Sequence, residues 1–243
     1  MNAAEAGTFS AAANKFIDSV IRLQPRVAAF DCDGTLWSGD AGERFFDWEL
    51  KTGGIVSGEL DRPMRERYAA YKRGEVAEEA MCGEMVTMHR GVAEVTLMAA
   101  AERFFDQFFV TQIFPEMREL VRRLHEHGCE IWAVSSSNQW VIRAGMKYFG
   151  IPDACILAAR VEVEDGKATD RLVRVPSGSG KPQALREVVG KGIDAAFGNS
   201  RWDMEMLILA EHAFAVNPNP DLEATARERG WQVYFPDGTR SHG

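Results

Sequence analysis

Three short apolar runs in this chain each break off into a cluster of polar residues, and that repeated pattern limits the fold more than any other feature. Arg26-Val-Ala-Ala-Phe30 runs into Asp31-Cys-Asp-Gly-Thr35, Cys129-Glu-Ile-Trp-Ala-Val134 into Ser135-Ser-Ser-Asn138, and Ile193 to Phe197 into Gly198-Asn199. Short apolar runs bounded by turn formers read as buried strands, and Gly34 suits the first turn because it takes a positive φ at little cost. Further strands are expected at Ala154 to Ala158, at Val161 to Val163 paired with Leu172 to Val175 around Asp165-Gly166, at Ala213 to Val216, and at Gln232 to Phe235. Helical patterns separate them. Phe16, Ile17, Val20 and Ile21 share one face of a first helix before Pro25; a second follows Pro115 and stops near Gly128; a third reaches Phe149; Pro182 opens a fourth; Met204 to Ala210 forms a fifth. Strands alternating with helices predict an α/β fold, a Rossmann-like parallel sheet covered on both faces.

From Asp40 to Thr111 the pattern is helical throughout, divided by Gly53-Gly54, Gly74 and Gly91. It reads as an insertion, so the expected division is an α/β core from residues 1–38 and 112–243 with a small all-helical domain from 39–111. A length of 243 residues with 46% hydrophobic and 26% charged side chains suits a well-cored soluble protein and disfavours disorder. The 28 basic and 36 acidic residues leave a net charge of −8, which argues against nucleic acid or an anionic membrane surface as a partner. A small anionic ligand in a locally positive pocket stays compatible with that balance. No apolar stretch approaches the roughly 20 residues that span a bilayer, and the N-terminus lacks a basic start before an apolar run, so a cytoplasmic protein is expected. Cys32, Cys82, Cys129 and Cys155 form no CxxC pair, which predicts free, buried thiols rather than disulfides or a zinc site.

In open α/β sheets ligands bind at the carboxyl ends of the strands. Asp31 and Asp33 follow the first strand, Ser135 the second, and Asn199 with Asp203 a later one, while Lys181 lies on the Gly-rich loop Ser177-Gly-Ser-Gly-Lys181, held extended before Pro182. Residues far apart in sequence would meet at one sheet edge, as catalytic groups do. Asp31-Cys-Asp-Gly-Thr-Leu36, the strand ending in Ser135, Gly180-Lys181-Pro182 and Gly198-Asn-Ser-Arg-Trp-Asp203 together resemble the four ordered motifs of the haloacid dehalogenase superfamily. The helical insertion, and Ala158 to Lys167 after the second motif, are similar to the phosphoserine phosphatase-like branch, in which the insertion is a cap.

That resemblance implies a magnesium-dependent phosphatase that passes through an aspartyl-phosphate. Asp31 would be the nucleophile, since an aspartate is ionised at neutral pH without activation. Asp33 would protonate the leaving oxygen and then activate water. Ser135 would hydrogen-bond the phosphoryl group with help from the Ser136 amide, and Lys181 would hold the charges of Asp31 and the phosphate together. Mg2+ suits ligands that are all oxygens: Asp31, the Asp33 carbonyl, Asn199, and Asp203 directly or through water. Family members usually carry Asp where this chain has Asn199; an amide still ligates, but with one charge fewer.

Asp40 matches the position of the acidic residue with which phosphoserine phosphatases contact substrate, and Asp40-Ala-Gly-Glu43 reads equally as a helix-capping box. Met81, Met85 and Met88 share a helix face that suits the interior of the insertion. His89, His125, His127 and His212 lack ligand spacing. Trp37, Trp140 and Trp202 lie beside the motifs; core packing and pocket walls account for them, and aromatic faces near a phosphate site also suit a quaternary ammonium. The expected substrate is a small phosphorylated metabolite, phosphoserine-like first and phosphocholine- or phosphoethanolamine-like second. The rival readings are a phosphotransferase or mutase using the same intermediate, and a non-catalytic module that binds phosphorylated ligands.

Overall fold

The structure, a computed structural model, describes residues 9–53, 55 and 58–239. Its strands in chain order are β1 (Val27–Phe30), β2 (Glu130–Asn138), β3 (Ile156–Glu164), β4 (Lys167–Arg174), β5 (Ala195–Gly198), β6 (His212–Val216) and β7 (Gln232–Tyr234). They form one sheet ordered β4-β3-β2-β1-β5-β6-β7. Every neighbouring pair is parallel except β3 with β4.

Side-chain alternation along β1 explains why so small a strand holds the centre. All four residues are buried; Ala28 and Phe30 enter the apolar cluster on one face, Val27 and Ala29 the cluster on the other. Phe30 stacks on Phe197 of β5 with ring centroids 4.1 Å apart, and Phe197 stacks on Phe214 of β6 at 4.7 Å. Burying each such ring is worth about 1.5–3 kcal/mol. The first face is covered by α1 (Ala11–Ile21), α6 (Pro115–Glu126) and α7 (Gln139–Met146), the second by α8 (Gly180–Val188), α9 (Met204–Leu209) and α10 (Pro220–Glu228).

Because β1 bonds to both β2 and β5, the chain departs from it toward β3 on one side and toward β7 on the other. The carboxyl ends of these three strands therefore flank a topological switch point, where an open sheet leaves a crevice.

Between β1 and β2 lie α2 (Ala41–Thr52), α3 (Asp61–Lys72), α4 (Glu78–Thr87) and α5 (Glu94–Phe108). Asp40 caps α2, its side chain accepting from the Glu43 amide at 2.7 Å. The apolar face of α5 (Leu97, Ala101, Phe104 and Phe105) and Phe45 of α2 belong to the main apolar cluster. Phe46, Leu50, Met64, Val76, Met81 and Met88 form a second, smaller one. A buried polar pair sits beside it: His89 Nε2 lies 2.8 Å from Glu49 Oε1, and Nδ1 lies 3.1 Å from the Val86 carbonyl oxygen. His89 thus has a structural partner, with its ring edge-on to Trp140 at 5.0 Å.

Several local expectations differ from the structure. The two short runs expected at 154–158 and 161–163 are one strand, β3, whose first half pairs with β2 and second half with β4. The second strand runs past its expected end at Val134: Ser135 to Ser137 belong to an irregular stretch of β2, where the register shifts between Val134 and Asn138. Lys181 is already helical in the first turn of α8, since that helix starts at Gly180 rather than at Pro182. Helix α10, opened by Pro220, has too short an apolar stripe (Leu222 and Ala226 buried) to stand out in the pattern. All four cysteines are free, Cys32 and Cys129 buried and the other two half-buried. Among the described residues no helix is long and apolar enough to cross a membrane.

Candidate active site

Asp31 follows the last residue of β1, and its amide donates to the Phe197 carbonyl at 2.9 Å, which ties it to β5. The residue is 6% exposed. Oδ2 accepts from Thr35 Oγ1 at 2.8 Å, and Oδ1 accepts from Lys181 Nζ at 2.6 Å. The same ammonium donates to Asp203 Oδ1 at 2.6 Å and to the Val134 carbonyl at 3.0 Å, so its three protons are all used. Asp203 Oδ2 accepts from the amides of Asn199 and Ser200, both at 2.9 Å, which closes the turn after β5.

One buried cation thus faces two buried carboxylates. Burial opposes charge on Lys181, but Asp203 and Asp31 outweigh it and hold the ammonium above the usual lysine range. Burial, and then the Asp203 charge, push Asp31 up to about 7 while Lys181 and Thr35 oppose the rise. With both carboxylates ionised the trio carries a net negative charge, in a place where uncompensated charge is costly.

Asp33 has a different set of partners. Its Oδ1 accepts from Trp37 Nε1 at 2.8 Å and from the Ala41 amide at 2.6 Å, while Oδ2 accepts from Ser137 Oγ at 2.6 Å. Burial, and then the charge of Asp40, push its carboxyl up to about 8, while the hydrogen bonds from Ser137 and the Ala41 amide oppose the rise. Two glycines make the close approaches. Gly34 has φ +78°, and a Cβ there would lie 1.9 Å from Asn199 Nδ2. A Cβ at Gly42 would lie 2.3 Å from Ser137 Oγ, so a bare glycine lets the start of α2 approach β2.

Asp31, Asp33, Asp40, Ser135, Ser136, Lys181, Asn199 and Asp203 all line one cleft of about 450 Å³. Asp40 both caps α2 and faces this cleft. Met81 and Met85 line it as well, so the interior-packing expectation holds in full only for Met88, while Met81 serves both. Trp37 and Trp140 are core residues; Trp202 lines the cleft with the Arg201 guanidinium 4.5 Å from its ring centroid, a cation of the chain's own. Sequence reading did not single out Thr35, Ser137, Tyr68, Tyr71, Lys72 or Glu78. Thr35 and Ser137 sit inside motifs already noticed, and their hydroxyls were the available signal; the others lie on α3 and α4, where nothing in the sequence marks them.

The haloacid dehalogenase-like hydrolase family matches residues 28–207. The chain belongs to that family. It is 26% identical to a histidinol-phosphatase of Neisseria meningitidis over 217 residues, 85% of this chain and 97% of that protein. It is 31% identical to a phosphoserine phosphatase of Mycobacterium tuberculosis over 150 residues, 59% of this chain and 47% of that protein, and so spans about half of that longer relative. Among solved structures, a protein of unknown function from Bordetella pertussis Tohama I superposes with a TM-score of 0.76 at 26% identity, covering 86% of this chain and 97% of the other. This haloacid dehalogenase-like hydrolase is a phosphatase in class, with the α/β fold expected from its sequence.

Proposed function

We propose that this chain hydrolyses a small phosphomonoester by transient phosphorylation of Asp31, with magnesium at the site. The observation that carries the reading is the buried Asp31–Lys181–Asp203 trio beside a raised-pKa Asp33 in one cleft. Among the described residues no three His, Cys, Asp or Glu side chains form a metal cage, yet the donors at hand suit magnesium. Asp31 and Asp203 are carboxylates, the Asp33 carbonyl and the Asn199 amide are neutral oxygens, and magnesium keeps several waters of its own. The net negative charge of the trio supports a cation there. When bound, the ion would offset phosphoryl charge as the two anions approach.

The chain's own residues would do the rest. An oxygen of Asp31 attacks phosphorus as the bond from phosphorus to the oxygen of the leaving alcohol breaks, and Asp33 gives its proton to that alcohol oxygen. A water then attacks the phosphorus of the aspartyl-phosphate and passes a proton to Asp33, releasing phosphate and restoring both residues. The Ser135 hydroxyl, whose oxygen already accepts from the Ser137 amide at 3.0 Å, has its own proton free for a phosphoryl oxygen. Helices α2 to α5, within residues 39–111, would act as the cap, placing Tyr68, Tyr71 and Met85 over the cleft and excluding water. The relatives are named for histidinol phosphate and phosphoserine, whose alcohols both carry an amino group; an amine-bearing phosphomonoester is therefore the proposed substrate, with Asp40 facing it.

The test is Asp31→Asn, measured on p-nitrophenyl phosphate with magnesium. Turnover should vanish while the melting temperature holds. Retained turnover would end the covalent mechanism.

A further inference from the structure

The walls of the cleft above the phosphoryl site are acidic, and their cations are already engaged. Asp40, Glu43 and Glu78 line it, and among the described residues its cations are Lys72 and Lys181. Lys72 pairs with Glu43 at 3.0 Å, and Lys181 spends its three protons on Asp31, Asp203 and Val134. A carboxylate on the substrate would find no free cation there.

Glu78 stands out among these groups. It opens α4, is only 8% exposed, and takes part in no ion pair among the described residues. Its Oε1 accepts from Ser177 Oγ at 2.7 Å and from Ser136 Oγ at 3.3 Å. Both bonds fall on one oxygen, which fixes the carboxylate and leaves Oε2 to accept from whatever enters the cleft. The charge of Lys181 favours its ionised form without outweighing burial, so a cation that reaches the carboxylate recovers part of the cost of keeping it buried.

We propose that Glu78 binds a protonated nitrogen on the leaving alcohol, so that the enzyme selects phosphomonoesters that carry an ammonium and no carboxylate. This rests on the phosphatase reading and narrows it, for it sets phosphoserine below its decarboxylated counterpart. The substrate ammonium donates to Oε2, while a substrate carboxylate would meet like charge from Glu78 and Asp40.

The experiment compares kcat/KM of the full chain with magnesium on three matched esters. These are O-phosphoethanolamine, phosphoserine (the same skeleton plus a carboxylate) and 2-hydroxyethyl phosphate (a neutral hydroxyl in place of the ammonium). Phosphoethanolamine should exceed both by about tenfold or more, the scale of one charge-assisted hydrogen bond. In Glu78→Gln the ratio of phosphoethanolamine to 2-hydroxyethyl phosphate should fall toward one, chiefly through KM. Equal or better use of phosphoserine by the wild type would overturn the proposal without any variant, and so would an unchanged ratio in the variant. Wild-type turnover of p-nitrophenyl phosphate keeps the two ideas apart: its absence sinks both, whereas its presence with no preference for the amine sinks this one alone.

Discussion

Replacing His89 by Leu should destabilise the protein severely although the residue lies outside the cleft. His89 and Glu49 are 0% and 1% exposed, and Glu49 Oε2 is buried with no hydrogen-bond partner. Both neighbours of the imidazole, a carboxylate and a backbone carbonyl, are acceptors, so an ionised Glu49 requires a proton on each ring nitrogen. Burial alone would push the imidazole down, but the Glu49 charge and hydrogen bond outweigh it and raise the pKa. Removing one member of such a pair leaves a buried charge alone, at a cost of about 3–5 kcal/mol. For a chain of this size that lowers Tm by about 6–20 °C. Replacing both Glu49 and His89 by Leu removes the stranded charge, so the double variant should recover most of the loss. The pH dependence has a definite sign. The stability contributed by a raised histidine is complete below its unfolded value of about 6.5 and fades as pH climbs through the folded value. Glu49, which burial raises against the pull of His89, loses stability in the same direction above its own unfolded value. The double variant should therefore gain on the wild type as pH rises from 6 to 9, read by circular dichroism melts. A His89→Leu variant melting within a couple of degrees of wild type would refute the reasoning, and so would a gap between wild type and double variant that ignores pH.

Gly34→Ala should raise the magnesium concentration needed for half-maximal rate and cut kcat/KM by about tenfold or more, because the new methyl occupies the space of the Asn199 amide and the backbone is left-handed there; wild-type metal dependence in that variant would dissociate Asn199 from the metal. Asn199→Asp restores a charge to the donor set and should lower the half-saturating magnesium concentration, as followed by a metal titration of activity; an unchanged or higher value would contradict its role as a ligand.

Much of this fold was legible because short apolar runs ending in polar clusters leave few arrangements other than a parallel sheet. β1 and β5 fall within a residue or two of where the pattern puts them. What resisted reading has local causes. The sequence shows Ile156 to Glu164 as two pieces, because the strand changes partner from β2 to β4 and turns polar and exposed along its length. Asp31, Lys181 and Asp203 could be assigned to one place since each follows a strand or opens a helix at the same sheet edge. Glu78 could not, because its relation to Ser136 and Ser177 exists only once α4 is packed against the sheet edge.

The small apolar cluster of Phe46, Leu50, Met64, Val76, Met81 and Met88 is distinct from the core that anchors α5 and Phe45. The two are joined through Ile55, which packs against both, and through α2, which gives Phe45 to one and Phe46 to the other. Since Met81 belongs to this cluster and also lines the cleft, volume changes among its members would move the ceiling over the reacting groups before they reach the sheet beneath.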